Sequence, residues 1–314
     1  MGESDLLLPL VNEENICLPL PVNVVSRYWD ITLPIAEAAE IAKKYGDFGG
    51  SMLIEGIESA ERHGLACKIM RSSISELKKM LDVGFPPIVI LPGVPGITQH
   101  ASVITGYSDR ENTILHYVQT GDRDGEQQEG AIPQDVFEKE WCEESNIAII
   151  IVPPEMRDLP LFEGSRSDRK CFEAERKVAL GSVPEAIELL ERALSLDPAN
   201  PVALNLLGGM LNRQDSPECI KHYEKCIEIN PLSYLAYGGL GNFYLKAGKF
   251  ADAEKYYTTA IGINPKRAAR IYKNRAYLRE KLGDPGVKKD LQKYLEYFPS
   301  APDRGIIEKA IREM

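Results

Sequence analysis

Apolar residues recur along this chain with two different periods, and the change from one to the other divides it. In the first half the signals are mixed. Val22, Val25, Ser26 and Trp29 share one face at helical spacing. They follow Pro19 and Pro21, which suit a first helical turn because its N–H groups have no intrahelical partner. Residues 35–44, closed by Gly46, and 51–63, closed by Gly64, read as two further helices, with His63 a charged cap on the second. Leu65–Met70 reads as a strand. Ser73, with Glu76 three residues later, makes a capping box for a helix that runs to Leu81 before Gly84. Short apolar runs follow at 87–91, 100–107, 113–118 and 147–152, with a helical stretch at 132–141 before the last. Helices first and then consecutive strands with short connections predict an α+β domain, N-terminal helices on an antiparallel sheet, over residues 1–155.

Pro153, Pro154, Pro160 and Gly164 mark a connecting stretch, read as a linker over 156–166. Beyond it Pro198, Pro231, Pro265 and Pro299 recur at spacings of 33, 34 and 34, each after an apolar helix. The clearest unit carries Tyr237, Leu240, Gly241, Tyr244, Gly248, Ala253, Tyr257 and Ala260 at fixed offsets before its proline. This pattern resembles the tetratricopeptide repeat. The resemblance implies an all-α solenoid over 167–314, about four helix pairs closed by a capping helix at 303–314. In such arrays the first helix of each pair lines a concave face. Here that face offers Asn205, Arg213, Asn242, Lys246, Arg270, Lys273 and Tyr277. Cations and amides there suit a protein or peptide partner, such as an acidic peptide or a C-terminal carboxylate.

The formal net charge of −10 and the absence of an evident Lys/Arg stripe argue against nucleic acid as a partner. No apolar run reaches membrane-spanning length, so membrane insertion is not expected. The N-terminus lacks the basic segment and apolar core of a signal peptide, and the six cysteines (17, 67, 142, 171, 219 and 226) form no CxxC pair. They are expected to be reduced, the location cytoplasmic, and neither a metal nor a cofactor is called for.

The stretch Cys17-Leu18-Pro19 through Arg27-Tyr28-Trp29 changes the picture for the first half. A thiol at a helix N-terminus feels the positive end of the macrodipole, which favours the thiolate. The stretch resembles the helix opening of the bacteriocin-processing (double-glycine leader) peptidases, papain-like cysteine peptidases with a Cys-Gly-Pro … Arg-Tyr-Trp pattern. Leu18 stands where they have glycine and Pro21 where they have a small residue. His100, opening a strand that ends in Gly106-Tyr107, resembles their second signature, 83 residues after Cys17. The resemblance implies Cys17 as nucleophile and His100 as general base and acid. Asn12 occupies the place of the family's oxyanion-hole glutamine and is one methylene shorter. At the family's aspartate position the chain reads Tyr117-Val118-Gln119-Thr120, leaving Gln119, or Asp122 or Asp124 later in the loop, to orient the histidine. Two functions are therefore expected: a thiol-dependent hydrolase of peptide or related bonds with a recruiting repeat domain, or a peptidase-like scaffold that binds peptides without cleaving them.

Overall fold

The computed structural model describes residues 2–6, 19–34, 37, 40, 52–92, 99–119, 127–160 and 166–314; for residues 19, 20, 99, 100, 118, 119 and 127–129 it describes the backbone. The chain packs as two compact units that part between Asp197 and Pro198.

The first unit is built on an antiparallel sheet. Its strands are β1 (Glu3–Asp5), β2 (Ala66–Arg71), β3 (Ile88–Pro92), β4 (Gln99–Ser108), β5 (Thr113–Gln119), β6 (Gln127–Pro133) and β7 (Ile147–Val152). The order is β2-β7-β3-β4-β5-β6, with β1 added to β4. The last strand in sequence thus lies inside the sheet, next to the edge strand β2, pairing Ala66 with Val152 on one side and Ile88 with Ile149 on the other. This explains why β7 reads Ile-Ala-Ile-Ile-Ile-Val without alternation: every residue in it is buried.

Four helices serve this sheet among the described residues of the α+β part: α1 (Pro19–Tyr28), α2 (Leu53–Arg62), α3 (Ile74–Asp82) and α4 (Gln134–Glu143). The capping box of α3 forms as expected. Ser73 Oγ accepts from the Glu76 N–H, and the Glu76 carboxylate accepts from the Ser73 N–H at 2.9 Å. Leu77, Leu81, Val89, Ile104, Phe137 and Trp141 fill the core between helices and sheet. Trp141 is fully buried, and its indole N–H donates to the Ile147 carbonyl at 2.8 Å. The helix expected at 35–44 lies outside the described residues except for Glu37 and Glu40, which are helical. Two strands were not expected, β1 and β6. Residues 132 and 133, read as helix from sequence, belong to β6; α4 begins at Gln134, whose N–H donates to Asn112 O at 2.8 Å. A 3-10 turn at Pro154–Met156 leads into the stretch read as linker, and Met156 and Leu159 pack on the sheet's core.

The first repeat-type helix pair, α5 (Ser167–Ala179) and α6 (Val183–Leu196), belongs to this unit. Charged side chains on α5 explain the attachment. Arg169 pairs with Glu61 through two hydrogen bonds of 2.7 and 2.9 Å. Arg176 donates to Glu58 at 2.6 Å and lies 3.5 Å from Glu55. Arg71, at the end of β2, reaches Asp168 at 3.1 Å and also pairs with Asp197, so it holds the start of α5 and the end of α6 together.

The second unit contains α7 (Pro201–Arg213), α8 (Cys219–Ile229), α9 (Tyr234–Lys246), α10 (Phe250–Ile263), α11 (Ala269–Leu282), α12 (Val287–Tyr297) and α13 (Arg304–Glu313). They stack as the antiparallel pairs α7/α8, α9/α10 and α11/α12, with α13 resting Ile307 and Ile311 on the last core. Close approach needs missing side chains. A Cβ on Gly241 would meet the Tyr257 ring at 2.5 Å, and one on Gly239 would run into Tyr223. The last pair solves the problem differently: Arg275 of α11 forks onto Asp290 of α12 with two bonds of 2.8 Å, both groups buried.

Candidate functional site

Two regions are candidates, one on each unit. In the first, α1 is a largely buried helix anchored at its C-terminal end. Val22, Val24 and Val25 are buried, and Ser26 Oγ donates back to Val22 O at 2.6 Å. Tyr28 donates its hydroxyl to Gly84 O at 3.0 Å, and Trp29 its indole N–H to Ile151 O at 2.9 Å. The Tyr28-Trp29 pair of the motif therefore fixes the end of the helix to the turn after α3 and to β7. The helix packs against β4 and β7. Cys17 and Asn12 lie outside the described residues, as do Asp122 and Asp124. Position 100 is the second residue of β4, in register with Leu91 of β3. Position 119 ends β5, in register with Gln127. Along β4 every second residue shares a face, so position 100 goes with Ser102 and Ile104. Ile104 pairs with His116, and position 119 falls in the opposite set on β5.

His116 of β5 is buried beside Ser102. Ser102 donates its single proton to Tyr117 O at 2.8 Å, so across the 2.9 Å contact the His116 Nδ1 is the donor. The pair ties β4 to β5. The described cysteines are free thiols, and each is at least partly buried. Burial pushes the thiols of Cys67, Cys142, Cys171 and Cys219 above the usual range and that of Cys226 up to about 11.

In the second region the residues expected to line a groove divide into two groups. Asn242 accepts from Tyr257 Oη and from Asn274 Nδ2, both at 2.8 Å. Lys246 reaches back to Asn212 O and Asp215, while Asn212 Nδ2 donates to Gly239 O at 2.8 Å. Asn242 and Lys246 thus join one helix pair to the next. Arg270, Lys273 and Tyr277 instead come together on one face of α11 and are exposed, Tyr277 to 52%. The Arg270 guanidinium lies 5.5 Å from the Phe298 ring centre, and Lys273 pairs with Asp303 at 2.5 Å. Lys281, which sequence reasoning did not single out, stands over the Tyr277 ring at 5.3 Å. Asn205 and Arg213 sit on α7, the first half-buried and the second exposed. No cluster of metal-ligating side chains occurs among the described residues, and none of their helices is long and apolar enough to cross a membrane.

Comparison with known proteins bears on this second region. Tetratricopeptide-repeat family models match residues 173–218 and 234–267. A stretch of 102 residues is 31% identical to anaphase-promoting complex subunit 3 of Schizosaccharomyces pombe, covering 32% of this chain and 15% of that protein. The chain therefore spans a small part of that relative's length. Among solved structures, pilF of Pseudomonas aeruginosa matches at 18% identity and a TM-score of 0.42, covering 47% of this chain and 69% of that one. A MamA structure matches at 25% identity and a TM-score of 0.38, covering 42% and 73%. The Cut9–Hcn1 assembly of the anaphase-promoting complex matches at 19% identity and 0.43, covering 48% and 30%. With the proline period and the helix pairs, the family matches make the C-terminal part of this chain a tetratricopeptide-repeat solenoid.

Proposed function

We propose that this protein is an interaction scaffold whose repeats recruit a partner protein or peptide for the N-terminal α+β domain. The proposed division is 1–155 for that domain, 156–166 for the connection and 167–314 for the repeats. The reading is carried by the tetratricopeptide repeats, which stack helix pairs so that the first helix of each presents an extended surface. Asn205, Arg213, Arg270, Lys273 and Tyr277 would contribute contacts there; Asn242 and Lys246 would support it through their bonds between pairs. The curated relative is by its name a subunit of a multi-protein complex, which accords with protein partners. A photo-crosslinking amino acid at Asn205 or Tyr277 should capture discrete proteins in cells, while the same group at Lys288, exposed on α12, should not. Equal, diffuse labelling from all three positions would refute the scaffold.

A second reading has one observation in its favour. The helix that opens two residues after Cys17 packs against the strand that carries His100. We infer a papain-like thiol hydrolase, cytoplasmic and without a cofactor, in which Cys17 attacks a peptide or related carbonyl. His100 would move the proton, the Asn12 amide would donate to the oxyanion and Gln119 would orient the ring. The test is alkylation by iodoacetamide, read by peptide mass spectrometry. Because burial raises the pKa of every described cysteine, a thiolate at Cys17 should label alone near neutral pH and slow in His100→Ala. Labelling of Cys17 that begins only in alkaline solution would remove this reading and leave the scaffold.

A further inference from the structure

The inference here rests on the scaffold reading and concerns the chemistry of its partner. Charge is divided unevenly along the chain. Residues 1–197 carry 34 Asp and Glu against 18 Lys and Arg, whereas residues 198–314 carry 13 against 19. The excess gathers at the fourth helix pair, where residues 266–281 hold seven Lys and Arg and one acid, Glu280. Folding sorts these cations. Arg275 and Arg279 turn inward: both bind Asp290, and Arg279 also bonds Glu254 at 2.9 Å. Arg270, Lys273 and Lys281 remain exposed with Tyr277, at helical spacings of three and four that put them on one face of α11. Lys266, just before the helix, is exposed too.

This face is prepared for a ligand. The Arg270 guanidinium lies over Phe298 and the Lys281 ammonium over Tyr277, so aromatic rings help hold both charged ends in place on this exposed face. One acid, Asp303, meets the stripe, and it bonds Lys273 and Tyr294. From Arg270 to Lys281 the helix rises about 17 Å, the length of roughly five extended residues. We propose that this stripe docks an acidic peptide segment of a partner protein. Its carboxylates pair with Arg270, Lys273 and Lys281, and an apolar side chain lies on the exposed Tyr277 ring.

The test uses the full chain and a fluorescein-labelled peptide of six glutamates around one central leucine, followed by fluorescence anisotropy. Binding should weaken about tenfold or more in the double variant Arg270→Glu/Lys281→Glu and about threefold in Tyr277→Ala. The pair Lys288→Glu/Lys289→Glu removes the same charge from exposed positions on α12 and should leave the affinity unchanged. A peptide with glutamines in place of the glutamates should not bind. Equal loss in the α12 pair, binding of the glutamine peptide, or tighter binding of a labelled oligothymidine through the same residues would overturn the proposal. Crosslinks from Asn205 and Tyr277 that persist in Arg270→Glu/Lys281→Glu would keep the scaffold while removing the stripe as its docking site.

Discussion

At Gly239 the Tyr223 ring stands where a Cβ would be, whereas at Gly262, near the end of α10, nothing lies within 4 Å of that place. The same substitution should therefore have opposite signs. Gly239→Ala should destabilise the second unit by about 2 kcal/mol or more, because a rigid ring must move in a packed interior. Gly262→Ala should be neutral or stabilise by up to about 1 kcal/mol through helix propensity. Thermal unfolding of the two variants decides it. The ion pair of α11 and α12 gives a second contrast. Arg275→Met leaves the buried Asp290 carboxylate to Arg279, 3.0 Å away, and should cost about 3 kcal/mol or more. The double variant Arg275→Met/Asp290→Leu should recover much of that loss in denaturant titration, because no unpaired charge remains. Neither contrast was legible in the sequence. Gly239 and Gly262 are both glycines within helices, and Arg275 sits in a run of cations. Only the neighbour brought by the fold tells them apart.

Between elements, α5 carries a titration as well as its ion pairs. Glu175 is pushed up to about 7 by burial, with the nearby Glu144 a lesser cause. A carboxyl raised in the folded state favours folding most when protonated. Its contribution is complete below the unfolded value of about 4.5 and is lost as pH rises through about 7. Glu175→Gln, which keeps the neutral form at all pH, should raise the melting temperature at about pH 8.5 and leave it nearly unchanged at about pH 5. Most elements of the first unit could be read beforehand, because α3 has its capping box and β7 its apolar run. The exceptions have physical reasons. Glu3-Ser4-Asp5 has no apolar pattern, and it becomes a strand by pairing with Tyr107 and its neighbours on β4. Gln127-Gln128-Glu129 likewise lacks alternation, and its strand is defined by the register with β5. The helix-period pattern read over 132–141 began two residues early because Ile132 faces the sheet's core from a strand.

For the whole chain, repeat membership and packing divide the molecule at different places. The proline period groups residues 167–197 with the array, but Arg71, Arg169 and Arg176 join their helices to β2 and α2. A fragment of residues 1–197 should therefore unfold cooperatively, near the intact protein's first transition. A fragment ending at 165 would expose Glu55, Glu58 and Glu61 without their arginines and should melt at clearly lower temperature, a comparison that circular dichroism can make. The basic stripe of α11 was invisible at this scale for a similar reason. The net charge of −10 averages two halves of opposite sign, and a linear scan does not separate cations that turn inward from those that face solvent.

The grip of Arg71 on both ends of the first helix pair also bears on how such a chain can lengthen. Repeat arrays tolerate extra units because each touches only its neighbours. A tandem copy of residues 167–197 would bring its own Asp168 and Asp197 but no second Arg71. The Asp168 carboxylate, 6% exposed in the original, would then be enclosed without its counter-charge. Duplication of that pair is penalised. Gains and losses of repeats among related chains should therefore fall on the C-terminal side of Asp197.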